Sequence, residues 1–292
     1  MVGTIAFIGV TYATDETAVA FARQLEPFCR EHDVIAVLVD NGPQSGKAEL
    51  ESLIRNVNPR MHYLNFGDNL GYFGGADSAW RWIVSRFGAP RWAIVSNVDV
   101  DFGGNGFVRH LREYENLSEV GVLAPAIISA RSGVDQNPHF VSRPAARRMH
   151  FYRVVFGRYW FRELYEAASA LLRRLKPSRT SAAAARDRVS RNGDEETLQG
   201  LEIYAPHGSC MLFSRDYFDA GASLRYPSFL FGEEIFVAES CRRRGLKVVY
   251  TPSLRITHQE HMSTRAIPRK EIAAYAAASA AYLAREFFDG QD

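Results

Sequence analysis

Four short segments of the sequence carry side chains that could do chemistry. Asn97-Val98-Asp99-Val100-Asp101 sets two carboxylates directly after the apolar run Trp92–Val95. Acids at the mouth of a sheet can bridge a hard cation such as Mg2+ or Mn2+ to phosphate oxygens. Read blandly, they cap a strand and start a turn before Gly103-Gly104. Phe229-Leu230-Phe231-Gly232-Glu233-Glu234 puts adjacent acids behind an aromatic run, at a helix start whose dipole accommodates anions. A carboxylate beside apolar surface can take a proton from a hydroxyl, although acids are also common in ordinary first turns. His258 comes after a strand and a short extended segment, and offers a ring nitrogen to a metal or simply packs. Asn69-Leu70-Gly71-Tyr72-Phe73-Gly74-Gly75 is a glycine-rich loop leading into a helix, where a ligand can approach the backbone. It fits neither GxGxxG nor GxxxxGK[ST], which argues against dinucleotide and P-loop sites.

The elements that must position these groups alternate along the first hundred residues. Thr4–Val10 and Val34–Val39 read as buried strands, the second stopping at the turn Asp40-Asn41-Gly42-Pro43. A helix is expected near Ala18–His32, a weaker strand at Met61–Asn65, a helix over Asp77–Phe87 and a strand at Trp92–Val95. Strand–helix alternation argues an α/β layer structure with a mostly parallel sheet, whose strand ends line a ligand crevice. Val120–Ile128, Leu201–Ala205, Ser209–Phe213 and Lys247–Tyr250 are further strands. Glu234–Arg244 and Lys270–Phe288 are further helices. Between them, residues 142 to 192 break the pattern, with one amphipathic helix expected at Phe161–Leu175 and a loop beyond Pro177.

Composition narrows the function classes. With 47% hydrophobic residues the 292-residue chain can bury a sizeable core, so wholesale disorder is excluded. The net charge of +2 names no partner, but residues 143–191 hold thirteen Lys/Arg against three Asp/Glu. The remainder is therefore an acidic body carrying one basic segment. Three scattered cysteines form neither a disulfide framework nor paired CxxC zinc spacing, which points to a reducing compartment. No run reaches eighteen apolar residues and the N-terminus lacks a signal-peptide pattern, so a cytoplasmic protein, at most peripheral on a membrane, is expected.

The order of the segments is more specific than any one of them. A first strand ending in Thr11-Tyr12 is followed by a second ending in Asp40-Asn41-Gly42. Then come Asn69-x-Gly71-x-x-Gly74-Gly75, Asn97-x-Asp99, Glu233-Glu234, Arg244-x2-Lys247 and His258. This string closely resembles a family-2 glycosyltransferase, and the rhamnosyltransferase-like members most, over roughly residues 3–130 and 200–265. The resemblance implies an α/β fold of the GT-A (Rossmann-like) type, a mostly parallel central sheet flanked by helices, with a basic helical insertion and a C-terminal helix. Residues 1–130 would be the nucleotide-sugar-binding half, 131–200 the insertion, 201–268 the acceptor-binding and catalytic half, and 269–292 the closing helix.

Carried over residue by residue, the resemblance implies that Thr11, Tyr12, Asp40, Asn41, Asn69, Gly71, Gly74, Asp77 and Asn97 contact the sugar nucleotide. Asp40 would accept a uracil or thymine N–H. Asp99 and His258 would hold Mg2+ or Mn2+, with an offset frame using Asp99 and Asp101 left open. Asp77 stands where relatives usually have asparagine, and Asn97 where a first aspartate is commoner. Glu234 matches the general base and Glu233 the acid before it. Relatives more often carry aspartate at the Glu234 position, so which carboxylate is the base stays open. His207-Gly208 matches a segment next to the acceptor.

The implied reaction moves rhamnose or another hexose, with inversion, from a dTDP- or UDP-linked donor to a hydroxyl of a glycan, lipid-linked or other acceptor. It belongs to polysaccharide and cell-envelope biosynthesis. The rival classes are a non-catalytic sugar-nucleotide binder or scaffold and a sugar-nucleotide nucleotidyltransferase. The latter typically opens with a basic, glycine-rich phosphate loop, which TYATDET is not. The aromatic and basic segment 143–191 reads as a peripheral membrane contact, a homodimer or partner surface, or a solvated face. Its spacing shows no organised groove for nucleic acid.

Overall fold

The computed structural model describes residues 3–12, 15–43, 47–156, 200–260 and 268–289. The helix expected at Phe161–Leu175 lies outside them. A nine-stranded sheet forms the centre, in the order β3-β2-β1-β4-β8-β6-β9-β5, with β7 (Leu201–Ile203) also paired to β9. The N-terminal strands β1 (Ile5–Thr11), β2 (Val34–Asp40), β3 (Met61–Asn65) and β4 (Trp92–Asn97) run parallel. Beyond β4 the sheet is mixed: β8 (Cys210–Ser214) is antiparallel to β4 and to β6 (Val120–Ser129), and β6 is parallel to β9 (Lys247–His258).

Every residue of β1 and β2 is buried, as expected of strands covered on both faces. Ala6, Ile8 and Val10 enter one apolar cluster while Ile5 and Phe7 enter the other, so the two-residue period divides the core into layers above and below the sheet. On the first side lie α3 (Tyr72–Phe87), α5 (Ala146–Phe156), α6 (Arg215–Asp219), α7 (Glu233–Arg242) and α8 (Arg269–Phe287). On the second lie α1 (Asp15–Glu31), α2 (Ala48–Val57) and α4 (Gly106–Arg112). No helix among the described residues is long and apolar enough to cross a membrane.

Two departures from the sequence reading matter for the site. Helix α3 starts at Tyr72, five residues before the expected Asp77, and takes Gly74 and Gly75 into its first turns. A Cβ on Gly75 would lie 3.2 Å from Asn41 Oδ1 and Val39, so the small residue lets the helix settle on the end of β2. Second, β9 does not stop at Tyr250. It runs on to His258 after a bulge: Pro125 pairs with Thr251, but the next residue, Ala126, pairs with Arg255. Pro252 has no N–H to give the ladder, which favours the irregularity there. The second half of β9 then pairs with β5 (Val100–Asp101), Val100 opposite His258 and Asp101 opposite Thr257.

Candidate functional site

The parallel register carries Thr11, Asp40 and Asn65 to one level, with Asn97 opposite Val10, so polar residues crown four adjacent strand ends. Above them is a cleft of about 240 Å³. Its floor is Val10, Thr11, Tyr12, Asn41 and Asn97. The walls are the loop Asn69–Tyr72, the segment His207–Ser209, and Phe229–Phe231 with Glu233, Glu234 and His258. Eleven residues singled out in the sequence therefore meet in one place although they span most of the chain.

Gly71 joins two of these walls. Its φ of +73° is open to glycine, and a Cβ there would collide with the Phe229 carbonyl oxygen. Its N–H donates to Asn69 Oδ1 and its carbonyl accepts Asn41 Nδ2–H, which ties the loop to the end of β2. Gly208 is equally constrained, since a Cβ would lie 2.7 Å from Glu234 Oε1. The half-buried Glu234 carboxylate thus occupies the space above Gly208.

Glu233 is 6% exposed, and burial together with the neighbouring Glu234 pushes its carboxyl up to about 8. A proton on Glu233 keeps its own charge from adding to that wall of the cleft. Burial holds the His207 imidazole down at about 4, His139 and His258 adding to the effect against the pull of Glu234 and Asp135. Its Nδ1 receives the Ser209 N–H at 3.2 Å and lies 3.0 Å from Ser209 Oγ.

Asp99 and His258 come together because β5 pairs with the end of β9. Asp99 is buried, and its Oδ1 has no hydrogen-bond partner among the described residues. His258 Nε2 stands 3.4 Å from that oxygen. The other ring nitrogen, Nδ1, is 2.9 Å from Gln136 Oε1, and Gln136 Nε2 donates to Glu260. With Gln136 so oriented, the Nδ1–H of His258 donates to Gln136 Oε1, which turns Nε2 toward the Asp99 carboxylate. A cation between that nitrogen and the unpartnered Asp99 oxygen would suit both, and a ligand histidine commonly gives its far N–H to such an acceptor. The pair therefore fits a divalent metal. No cluster of three His, Cys, Asp or Glu is found among the described residues.

Other sequence candidates sit elsewhere. The Asp40 side chain is fully buried: Tyr63 OH donates to its Oδ2 at 2.7 Å, Gly42 N–H to its Oδ1 at 2.7 Å, and Lys47 Nζ is 3.3 Å away. Asp77 of α3 is paired with Arg81 and Arg225. Gly74 lies inside α3. Asp101 is exposed, accepts the Gly103 N–H, and lines a neighbouring cleft with Asp99, Glu16 and Gln24.

The sequence reading passed over Tyr72 and Gln136. The Tyr72 hydroxyl is buried at the cleft without a partner among the described residues. Burial, then Cys210, Glu233, Glu234 and Asp99, hold its pKa well above 10. An aromatic inside a glycine loop was the available signal. Gln136, which orients His258, belongs to no motif and gave none.

No protein-family model matches the chain, and neither does any curated protein. Solved structures do. GalNAc-T7, determined with UDP, GalNAc and Mn2+, superposes with a TM-score of 0.55 at 11% identity over 88% of this chain, which spans 43% of that protein. The mannosyltransferase PcManGT from Pyrobaculum calidifontis, in complex with GDP-Man and Mn2+, gives 0.53 at 11% identity, covering 100% of this chain and 77% of that one. Mannosyl-3-phosphoglycerate synthase from Rubrobacter xylanophilus gives 0.51 at 12% identity, covering 99% and 77%. At such identities the likeness is one of fold, and the fold is that of the GT-A glycosyltransferases.

Proposed function

We propose that the chain is an inverting glycosyltransferase of the family-2 type, transferring rhamnose or another hexose from a dTDP- or UDP-linked donor to a hydroxyl of a glycan or lipid-linked acceptor. The observation that carries the reading is that His258, its Nε2 turned to Asp99, borders the same cleft that Glu234 enters from α7. UDP and GDP-Man in the GT-A neighbours support a nucleoside-diphosphate donor, and their Mn2+ supports a divalent ion.

Asp99 and His258 would hold that ion, which neutralises charge on the departing nucleoside diphosphate. Thr11, Tyr12, Asn41, Asn69 and Asn97 bind the donor at the strand ends. Glu234 takes the proton from the acceptor hydroxyl. The acceptor oxygen bonds to the anomeric carbon as the bond from that carbon to the phosphate oxygen breaks, which inverts the centre. Glu233, protonated by its burial, keeps a second negative charge away from the base. Neutral His207, with Nδ1 engaged by Ser209, presents Nε2–H as a donor beside Glu234. Asp40 acts on the donor through its hold on the turn at Gly42 and on Tyr63.

The acceptor is brought by the basic segment 143–191, for which α5 offers one described face: Phe151 and Val154 are exposed among Arg147, Arg148 and Arg153. Such a face suits a peripheral contact with anionic lipid at the inner side of the cell membrane. A homodimer is the outcome that sizing would show instead.

A thermal-shift panel of dTDP, UDP and GDP with and without Mn2+ tests the donor site. The expected result is a metal-dependent rise in melting temperature that Asp99→Ala and His258→Ala abolish. No shift with any nucleotide would overturn the reading.

A further inference from the structure

The wall in front of the two acids has a conformation that costs the chain something. Phe231 has φ +71°, the left-handed region that side chains disfavour and bulky ones most. Gly232 comes next at φ +85°, and a Cβ there would lie 2.5 Å from Ser279 Oγ and 2.6 Å from Leu283 Cδ1. The turn geometry alone would be met with less strain by glycine or asparagine at 231. Instead the fold pins the aromatic. The Phe231 carbonyl accepts the Ser279 hydroxyl at 2.6 Å, and the Tyr226 hydroxyl stands 2.9 Å from the same oxygen. Both anchors are buried, one of them on α8. Phe231 is 36% exposed, lines the cleft and belongs to neither apolar core cluster, so core packing does not account for it. A bulky residue over-determined in a strained conformation at a cleft is where a functional side chain is expected.

We propose that Phe231 is the platform for the acceptor sugar: the C–H face of a hexopyranose lies on its ring and so brings a hydroxyl to Glu234. The proposal rests on the glycosyltransferase reading above. Phe231 is three residues before Glu234 and on the same wall, whereas Thr11, Asn41 and Asn97 occupy the strand-end floor assigned to the donor. The neighbouring Phe229 is engaged by Tyr275 of α8, ring centroids 4.6 Å apart, and backs on Gly71. An aromatic face buries the apolar side of a pyranose without a directional partner. It selects for a sugar with one face clear of axial hydroxyls.

The test uses the full chain and the variants Phe231→Gly, Phe231→Ala and Phe231→Tyr. Phe231→Gly should melt at or above the wild-type temperature, because the strain goes and little packing is lost. Ligand-observed NMR with p-nitrophenyl hexopyranosides, in the presence of Mn2+ and whichever of UDP or dTDP binds, reads the acceptor side. Affinity for the best of these sugars should fall about tenfold in Phe231→Gly and Phe231→Ala and return in Phe231→Tyr, while nucleotide binding stays unchanged. A clear drop in melting temperature for Phe231→Gly would mark the ring as a packing residue and overturn the proposal. So would unaltered sugar affinity, or no sugar signal in a wild type that binds nucleotide. A wild type that binds no nucleoside diphosphate would instead overturn the glycosyltransferase reading on which the proposal stands.

Discussion

Replacing Glu233 with glutamine changes the charge the cleft wall can carry without changing its shape, so it isolates the consequence of burying that carboxyl. The group titrates near 4.5 when unfolded and near 8 in the fold, raised by desolvation first and by Glu234 second. Between those values the unfolded chain has released a proton that the folded chain retains. Stability from this group is thus full below about pH 4.5 and is lost as pH rises to 8, at roughly 1.4 kcal/mol per unit. Over the window the loss is at most about 5 kcal/mol, with little discount for solvent because Glu233 is 6% exposed. Glutamine has no proton to lose, so the variant should gain on wild type progressively from pH 5 to 8 and by a constant amount above. At about 2–4 °C per kcal/mol for chains approaching this length, a gap of several degrees should open between pH 6 and pH 8. Melting curves of both proteins across that range, read as a difference so that other groups cancel, supply the measurement. A flat difference would show that Glu233 is ionised in the fold, and its reading as the protonated neighbour of Glu234 would fail.

The same geometry sets three further expected outcomes. Glu234→Gln should lower kcat by a factor on the order of 10² to 10⁴ while leaving the metal-dependent nucleotide shift intact; loss of nucleotide binding would move Glu234 out of the base role. Gly208→Ala forces the Glu234 carboxylate off its position, and should reduce kcat more than it reduces melting temperature. Tyr72→Phe removes a buried hydroxyl that has no partner among the described residues, and should raise the unfolding free energy from urea titration by about 1 kcal/mol. If the hydroxyl contacts substrate, the same variant loses kcat/KM.

Much of the site could be read from the chain because buried parallel strands are near-continuous apolar runs, and the residues at the C-terminal end of each run stand at one edge of the sheet. Thr11, Asn41 and Asn97 reach the cleft for that reason alone. The parts that could not be read depend on partners remote in sequence. Asp40 ends its strand as Thr11 and Asn97 do, yet its carboxylate is taken by Tyr63, twenty-three residues on, and by Lys47. Asp99 and Asp101 are two apart and would share one face of a continuous strand, yet Asp99 is buried just before the two-residue β5 and Asp101 is exposed within it; neither motif frame could have told them apart. The strain at Phe231 is a backbone property with no local sequence signature, since glycine, the residue that usually announces it, comes one position later.

The irregularity in β9 has a counting consequence. Val248 and Tyr250 face one core layer and Val249 the other, so an unbroken strand would send every even-numbered residue to the first side. Three residues, Pro252 to Leu254, slip in between the Thr251 and Arg255 pairings, and that odd number reverses the parity. Leu254 and Ile256 accordingly join Val249's layer, and His258 keeps step with them two residues further on. Deleting a single residue from Pro252–Leu254 would restore the original alternation and turn the imidazole away from Asp99. Deleting two would keep it facing the acid on a shorter bulge. Tolerance to change in this stretch should therefore track whether the number of residues removed is odd or even, more than how many are lost.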